Sequence, residues 1–172
     1  MTSLILFVSM SIILSGPVRL ESLTDIENQL QNHSGGRVNL VINSPGGDVE
    51  VGKKLMAKIQ RLKKPIDCVV TGEAMSMAFI MLTICTNRYT LATAQFLVHD
   101  VRMQYQYTVL TEQELERDLI DLKATNQWQK QLIKDSLGEY RTGSWSGRQM
   151  ESDYKGWIKV IDSITWVGGT NK

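Results

Sequence analysis

One feature restricts this chain more than any other: an apolar, β-branched run that meets a glycine-bearing turn and continues as an amphipathic or apolar helix. It occurs twice. Val38 to Ile42 (VNLVI) runs into Asn43-Ser44-Pro45-Gly46-Gly47-Asp48, after which Val51, Leu55, Met56, Ile59 and Leu62 fall on one helical face. Ile66 to Thr71 runs into Gly72-Glu73-Ala74-Met75-Ser76, followed by the uncharged segment Met77 to Leu82. Each reads as strand, tight turn and helix. An order of strand, helix, strand, helix, strand, helix implies an α/β fold with a largely parallel sheet and right-handed crossovers. Ligand sites in such sheets lie beyond the carboxyl ends of the strands. The Gly46-Gly47 turn and the Gly72 to Ser76 turn are therefore expected side by side.

The flanking segments extend the pattern. Leu4 to Leu14 has the apolar character of a secretory core, but no basic stretch precedes it and Pro17 spoils the small-residue cleavage pattern. It also falls short of the ~20 apolar residues that a spanning helix needs. It is read as a buried first strand ending at Ser15-Gly16-Pro17. Ser22 offers an N-cap with Asp25 three positions later, and Leu23, Ile26 and Leu30 share a face. Arg88 to Leu91 and Ala94 to Val98 read as further extended pieces, the second delivering His99-Asp100. Thr111-Glu112-Gln113-Glu114 has capping-box spacing and opens a long helix to Leu137. Its polar middle implies that it projects partly from the body, where its apolar residues would suit a partner subunit. Gly138 to Gly147 reads as a turn-rich break. A last helix carries Met150, Tyr154 and Trp157, and Val160 to Ile164 closes the fold.

Composition narrows the function classes. A length of 172 residues with 42% hydrophobic and 22% charged content fits one globular domain, residues 1–172. A net charge of +1 without basic runs gives no electrostatic case for nucleic acid. Cys68 and Cys85 sit in apolar surroundings outside any C-x-x-C pair, so they are expected as free core thiols in a reducing, cytoplasmic setting. With two histidines and two cysteines no structural metal site is expected.

Three groups carry candidate chemistry. Ser76 starts a helix whose first N–H groups lack intrahelical partners, so it is either an N-cap or a nucleophile beside donors that stabilise developing negative charge. The Gly46-Gly47 turn is either a plain connection or bare backbone N–H groups facing a pocket. His99, at the carboxyl end of an apolar strand, is either a satisfied structural histidine or the base a serine hydroxyl requires. His33, in the polar loop Asn32 to Gly36, is expected to be a solvated surface residue.

These pieces, with Ser11 to Val18 and the looser Gly156 to Ile164, resemble the Clp protease proteolytic subunit (ClpP) family of the ClpP/crotonase superfamily. The resemblance runs from about Ser11 to Trp166 and rests on I-N-S-P-G-G-D-V (Ile42 to Val49), G-E-A-M-S-M-A (Gly72 to Ala78) and F-L-V-H (Phe96 to His99). It implies a ClpP/crotonase-like fold of repeated β-β-α and βαβ units. Residues 111–137 would form a handle-like helix and residues 1–10 an N-terminal segment. It implies Ser76 as nucleophile, His99 as general base, and the N–H groups of Gly47 and Met77 as oxyanion hole. It further implies polypeptide substrates and stacked homo-oligomeric rings. An AAA+ unfoldase partner would consume the ATP, and this chain would use no cofactor, membrane or nucleic acid.

The sequence departs from the family at two points. Thr142 stands where the family has its third catalytic residue, an aspartate, which leaves Asp135, Glu139 and Asp153 as substitutes. Asp100-Val101 replaces the usual proline after the histidine. Three other readings follow from the same residues: a ClpP-like subunit without catalysis, a phage-type head-maturation protease, and, least favoured, a crotonase-like acyl-CoA enzyme.

Overall fold

The computed structural model describes residues 3–7, 11–105 and 108–167. Its centre is a parallel sheet built from β2 (Ser11–Ser15), β3 (Val38–Ser44), β4 (Ile66–Met75), β5 (Asn87–Leu91) and β8 (Lys159–Ile161), paired in that order. α1 (Leu20–Gln31) joins β2 to β3 and α2 (Val49–Arg61) joins β3 to β4. The expected α/β architecture with parallel strands is what the chain adopts. Leu40, Ile42, Cys68 and Val70 are fully buried, as are Leu55 and Ile59 of α2. A parallel sheet covered by helices demands apolar residues on its strands, which accounts for the continuous VNLVI and CVV runs.

Several boundaries differ from expectation, each for a physical reason. The apolar N-terminal stretch is not one strand. Ser11–Ser15 joins the main sheet, whereas β1 (Ser3–Phe7) pairs in parallel with β9 (Ser163–Val167) in a separate two-stranded sheet; Val8 to Met10 lie outside the described residues. The first helix begins at Leu20, so Ser22 lies inside its first turn instead of capping it. The Ser22 hydroxyl donates to the Pro17 carbonyl (2.9 Å) and accepts from the Arg19 N–H (3.2 Å), tying the Gly-Pro turn to the helix start. The segment read as a turn-rich break contains β7 (Gly143–Ser146), antiparallel to β6 (Gln95–Val98). Such an edge strand, four residues long and flanked by glycines, has little periodic signal to show. The closing stretch Val160 to Ile164 divides at Asp162 between β8 and β9, and α5 (Gly147–Asp153) stops before Tyr154 and Trp157.

The cysteines are a correction. Cys68 on β4 and Cys85, just before β5, are joined by a disulfide with Cα atoms 5.9 Å apart, not held as free thiols. The β4–β5 pairing sets Cys68 beside Arg88, which brings the chain before β5 under β4. Separation in sequence hid this proximity. His33 is also unlike its expectation: it is half-buried, and its Nε2 is shielded without a hydrogen-bond partner among the described residues.

α4 (Glu112–Leu137) starts as its capping box requires. Thr111 Oγ1 accepts from the Glu114 N–H (3.3 Å) and Glu114 Oε2 accepts from the Thr111 N–H (2.8 Å). Its first half stands clear of the body, with Leu115 and Leu119 each 49% and Ile120 66% exposed, while Gln129 and Ile133 are buried.

Candidate active site

Strand β4 is longer than its apolar run. Instead of turning at Gly72 it continues through Gly72-Glu73-Ala74 to Met75, after a register irregularity against β3 between Ile42 and Ser44. Asn43 secures the extension, its Oδ1 accepting the Glu73 N–H at 3.1 Å. The turn is thereby compressed into Ser76 alone, at φ 51° and ψ −122°. A non-glycine residue in that region carries strain of about 1–3 kcal/mol and persists only where its surroundings over-determine it. They do so here. The Ser76 N–H donates to the Leu97 carbonyl (2.8 Å), and the Ser76 carbonyl accepts from Phe79 and Ile80. The next five residues, α3 (Met77–Met81), are each no more than 1% exposed. Phe79 stacks on Trp157 (5.7 Å between centroids) and meets Phe96 edge-on (6.3 Å). The Ser76 side chain makes no capping hydrogen bond to α3. Ser76 thus occupies the N-cap position of α3 without spending its hydroxyl on the helix.

The Gly46-Gly47 turn abuts this serine as the strand ends require. At Gly46 (φ 87°) a Cβ would lie 2.8 Å from Ser76 Cβ and 2.9 Å from the Met77 nitrogen, so only glycine permits the approach. Gly47 (φ 147°) is bridged to Val18: the Val18 N–H donates to the Gly46 carbonyl (2.8 Å) and the Asp48 N–H to the Val18 carbonyl (2.9 Å). Neither the Gly47 nor the Met77 N–H has an acceptor among the described residues. Both expected donors are therefore unspent, Met77 next to Ser76 in the chain and Gly47 next to the Gly46 that is pressed against it. Asn43 was not singled out from the sequence. Its signal was present in the polar pair Asn43-Ser44 at the end of an apolar strand, where Ser44, fully buried, accepts the Gly46 N–H at 3.1 Å.

His99 arrives from the other side. In the β4–β6 pairing Met75 lies beside Leu97, so the residue after Met75 and the residue two after Leu97 leave the sheet at the same edge. No hydrogen bond joins the imidazole to Ser76 among the described residues; His99 Nδ1 lies 2.6 Å from the carbonyl of Asp100. The β6–β7 pairing ends at Val98 and Gly143, so His99 and Thr142 are the residues just beyond its last pair. The position expected to hold a carboxylate is an exposed threonine. The proposed substitutes are engaged elsewhere. Asp135 accepts from Gln131 (2.6 Å), and Asp153 accepts from Arg141 (3.0 Å) and from the Trp145 indole (3.1 Å). The Glu139 carboxyl bears on Tyr154. The Asp100 carboxylate accepts from the Tyr140 hydroxyl at 2.6 Å and pairs with Lys130 at 3.2 Å. The Tyr140 hydrogen bond, followed by Lys130, holds the Asp100 carboxyl below its ordinary range. Burial, then Asp100, raises the Tyr140 phenol far above its own.

With this geometry in place, the chain can be set beside known proteins. The profile of the Clp protease family matches residues 2–139, well over half of the sequence. The chain belongs to the Clp protease family. Its largely parallel sheet and long α4 agree with a ClpP-like fold, and members of the family are in general serine peptidases. A cleft of about 670 Å³ opens from Gly47 along the start of α2 to Val101, Arg102 and Met103, which follow His99, and is closed on its far side by α4 residues such as Asp121 and Thr125. Among the described residues no helix is long and apolar enough to cross a membrane, and no cluster of His, Cys, Asp and Glu could hold a metal.

Proposed function

We propose that this Clp protease is a serine endopeptidase that acylates on Ser76. In this reading His99 takes the hydroxyl proton as Ser76 attacks the scissile carbonyl, then returns it to the leaving amine. Water, deprotonated by the same ring, releases the acyl group. The N–H groups of Gly47 and Met77 hold the oxyanion, a role in which loss of one donor costs about 10²–10³ in turnover. The observation that carries the reading is the strained, uncapped Ser76 turn together with two unspent backbone donors. A polypeptide in extended form fits the cleft between Gly47 and the Val101 to Met103 segment, where main-chain groups give affinity.

The exposed Leu115, Leu119 and Ile120 on α4 support assembly into stacked rings. An ATP-driven AAA+ unfoldase would feed such rings, with no cofactor in this chain. A fluorophosphonate probe tests the chemistry. Labelling of the parent that vanishes in Ser76→Ala supports the reading, and no labelling of folded protein overturns it. One observation favours a second reading, a ClpP-like subunit of weakened or absent catalysis: Thr142, just beyond the last β6–β7 pair, stands where the resemblance expects an aspartate.

A further inference from the structure

A triad carboxylate does two separable things for its histidine: it fixes which ring nitrogen carries the proton, and it stabilises the charged ring. The second needs charge. The first needs only an acceptor that cannot donate, and a backbone carbonyl qualifies. The Asp100 carbonyl, 2.6 Å from His99 Nδ1, can only accept, so that nitrogen must carry the hydrogen and Nε2 is left with its lone pair.

A carbonyl on an exposed loop would wander unless held, and both peptide groups that flank Asp100 are held by α4. The Asp100–Val101 peptide is tied at its other end, where the Val101 N–H donates to Asn126 Oδ1 at 2.7 Å. The preceding His99–Asp100 peptide is tied through the His99 carbonyl, which accepts from Gln129 Nε2 at 2.7 Å. Asn126 and Gln129 are three residues apart and so share one face of the helix. The donors and acceptors of both amides are dictated by their backbone partners, an N–H in one case and a carbonyl in the other. Gln129 is only 4% exposed and, with Ile133, is one of the two buried residues of α4. A buried amide retained there, with its hydrogen bond made, marks a constrained position.

We propose that Asn126 and Gln129 are positioning residues that hold the Asp100 carbonyl against His99, so that this carbonyl orients the ring where Thr142 supplies no carboxylate. The proposal rests on the reading of His99 as the base for Ser76. The closing experiment tells failure of one from failure of the other.

The chain has two histidines, so ¹⁵N-histidine labelling of the full-length protein gives two ring spin systems, and His99→Gln assigns them. Above the ring's titration, His99 is expected as the Nδ1–H tautomer, the minor form of a free imidazole. In Asn126→Leu the ring should drift toward the Nε2–H form, and fluorophosphonate labelling of Ser76 should slow by about tenfold, the loss of one orienting hydrogen bond. Asn126→Asp keeps the acceptor for the Val101 N–H and should restore both. An Nε2–H tautomer in the parent overturns the proposal without any variant having to fold. So does an Asn126→Leu protein that melts earlier while tautomer and labelling rate stay put, since that is a purely structural role. An Nδ1–H parent without Ser76-dependent labelling would support the orienting contact and overturn the peptidase reading instead.

Discussion

The two halves of the candidate site are built in opposite ways. Ser76 is fixed by backbone hydrogen bonds and by a short helix sealed in the core, and its conformation is strained. His99 sits one residue past a strand, and its surroundings are held by side chains from α4 and the loop after it: Asn126, Gln129, Lys130 and Tyr140. A turn enforced by the core resists everything except changes to the core or to the glycine pressed against it. A loop held by separate side-chain hydrogen bonds, most of them from half-exposed groups, can be loosened one bond at a time, and is open to replacement by a different residue set. Both departures from the family pattern, Thr142 and Asp100-Val101, fall in the second region and not in the first.

Substitutions that strike the sealed turn should have the largest effects. Phe79→Ala removes a ring held between Phe96 and Trp157 and should cost about 3–5 kcal/mol in chemical denaturation. If the loss were under a third of that, the turn would not be held by its core. Gly46→Ala drives a methyl toward Ser76 and the Met77 nitrogen at a positive φ; labelling of Ser76 should fall by about 10²–10³, as when an oxyanion donor is misplaced. Reduction of Cys68–Cys85, or Cys68→Ala with Cys85→Ala, should lower stability by roughly 3 kcal/mol, from the entropy of a loop of this size. Equal melting with and without reductant would contradict that.

Changes on the histidine side should be smaller. Thr142→Asp places a carboxylate, like His99, just beyond the last β6–β7 pair and should raise labelling of Ser76 by about tenfold by stabilising the charged ring. A decrease would mean that the Asp100 carbonyl and a new carboxylate compete for Nδ1. Tyr140→Phe, the mildest change, removes one partner of Asp100 and should lower the melting temperature slightly. Because the Asp100 carboxyl is held below its unfolded value near 3.8, the parent's advantage is complete above that value. It should be lost as pH falls through the lower folded one, so the two melting curves converge in strong acid.

Two continuous apolar runs and their glycine turns were enough to give the parallel sheet, because strands buried on both faces read as unbroken apolar runs and amphipathic helices show their period in any window of ten residues. The same local pattern singled out Ser76, the Gly46-Gly47 turn and His99 as candidates, since chemistry-bearing residues at strand ends fall at one edge of such a sheet; the oxyanion role of the Gly47 and Met77 N–H groups came from the family resemblance. Contacts between residues distant in the chain were another matter. Nothing local says that Cys68 and Cys85 meet, that Ser3–Phe7 leaves the main sheet for Ser163–Val167, or that the four-residue strand Gly143–Ser146 pairs with Gln95–Val98 just before His99. The backbone angles of Ser76 and the partner of the imidazole were likewise decided by the fold. A strained φ and a carbonyl used as an acceptor exist only once the surrounding chain has closed around them, and neither is written in side-chain identity.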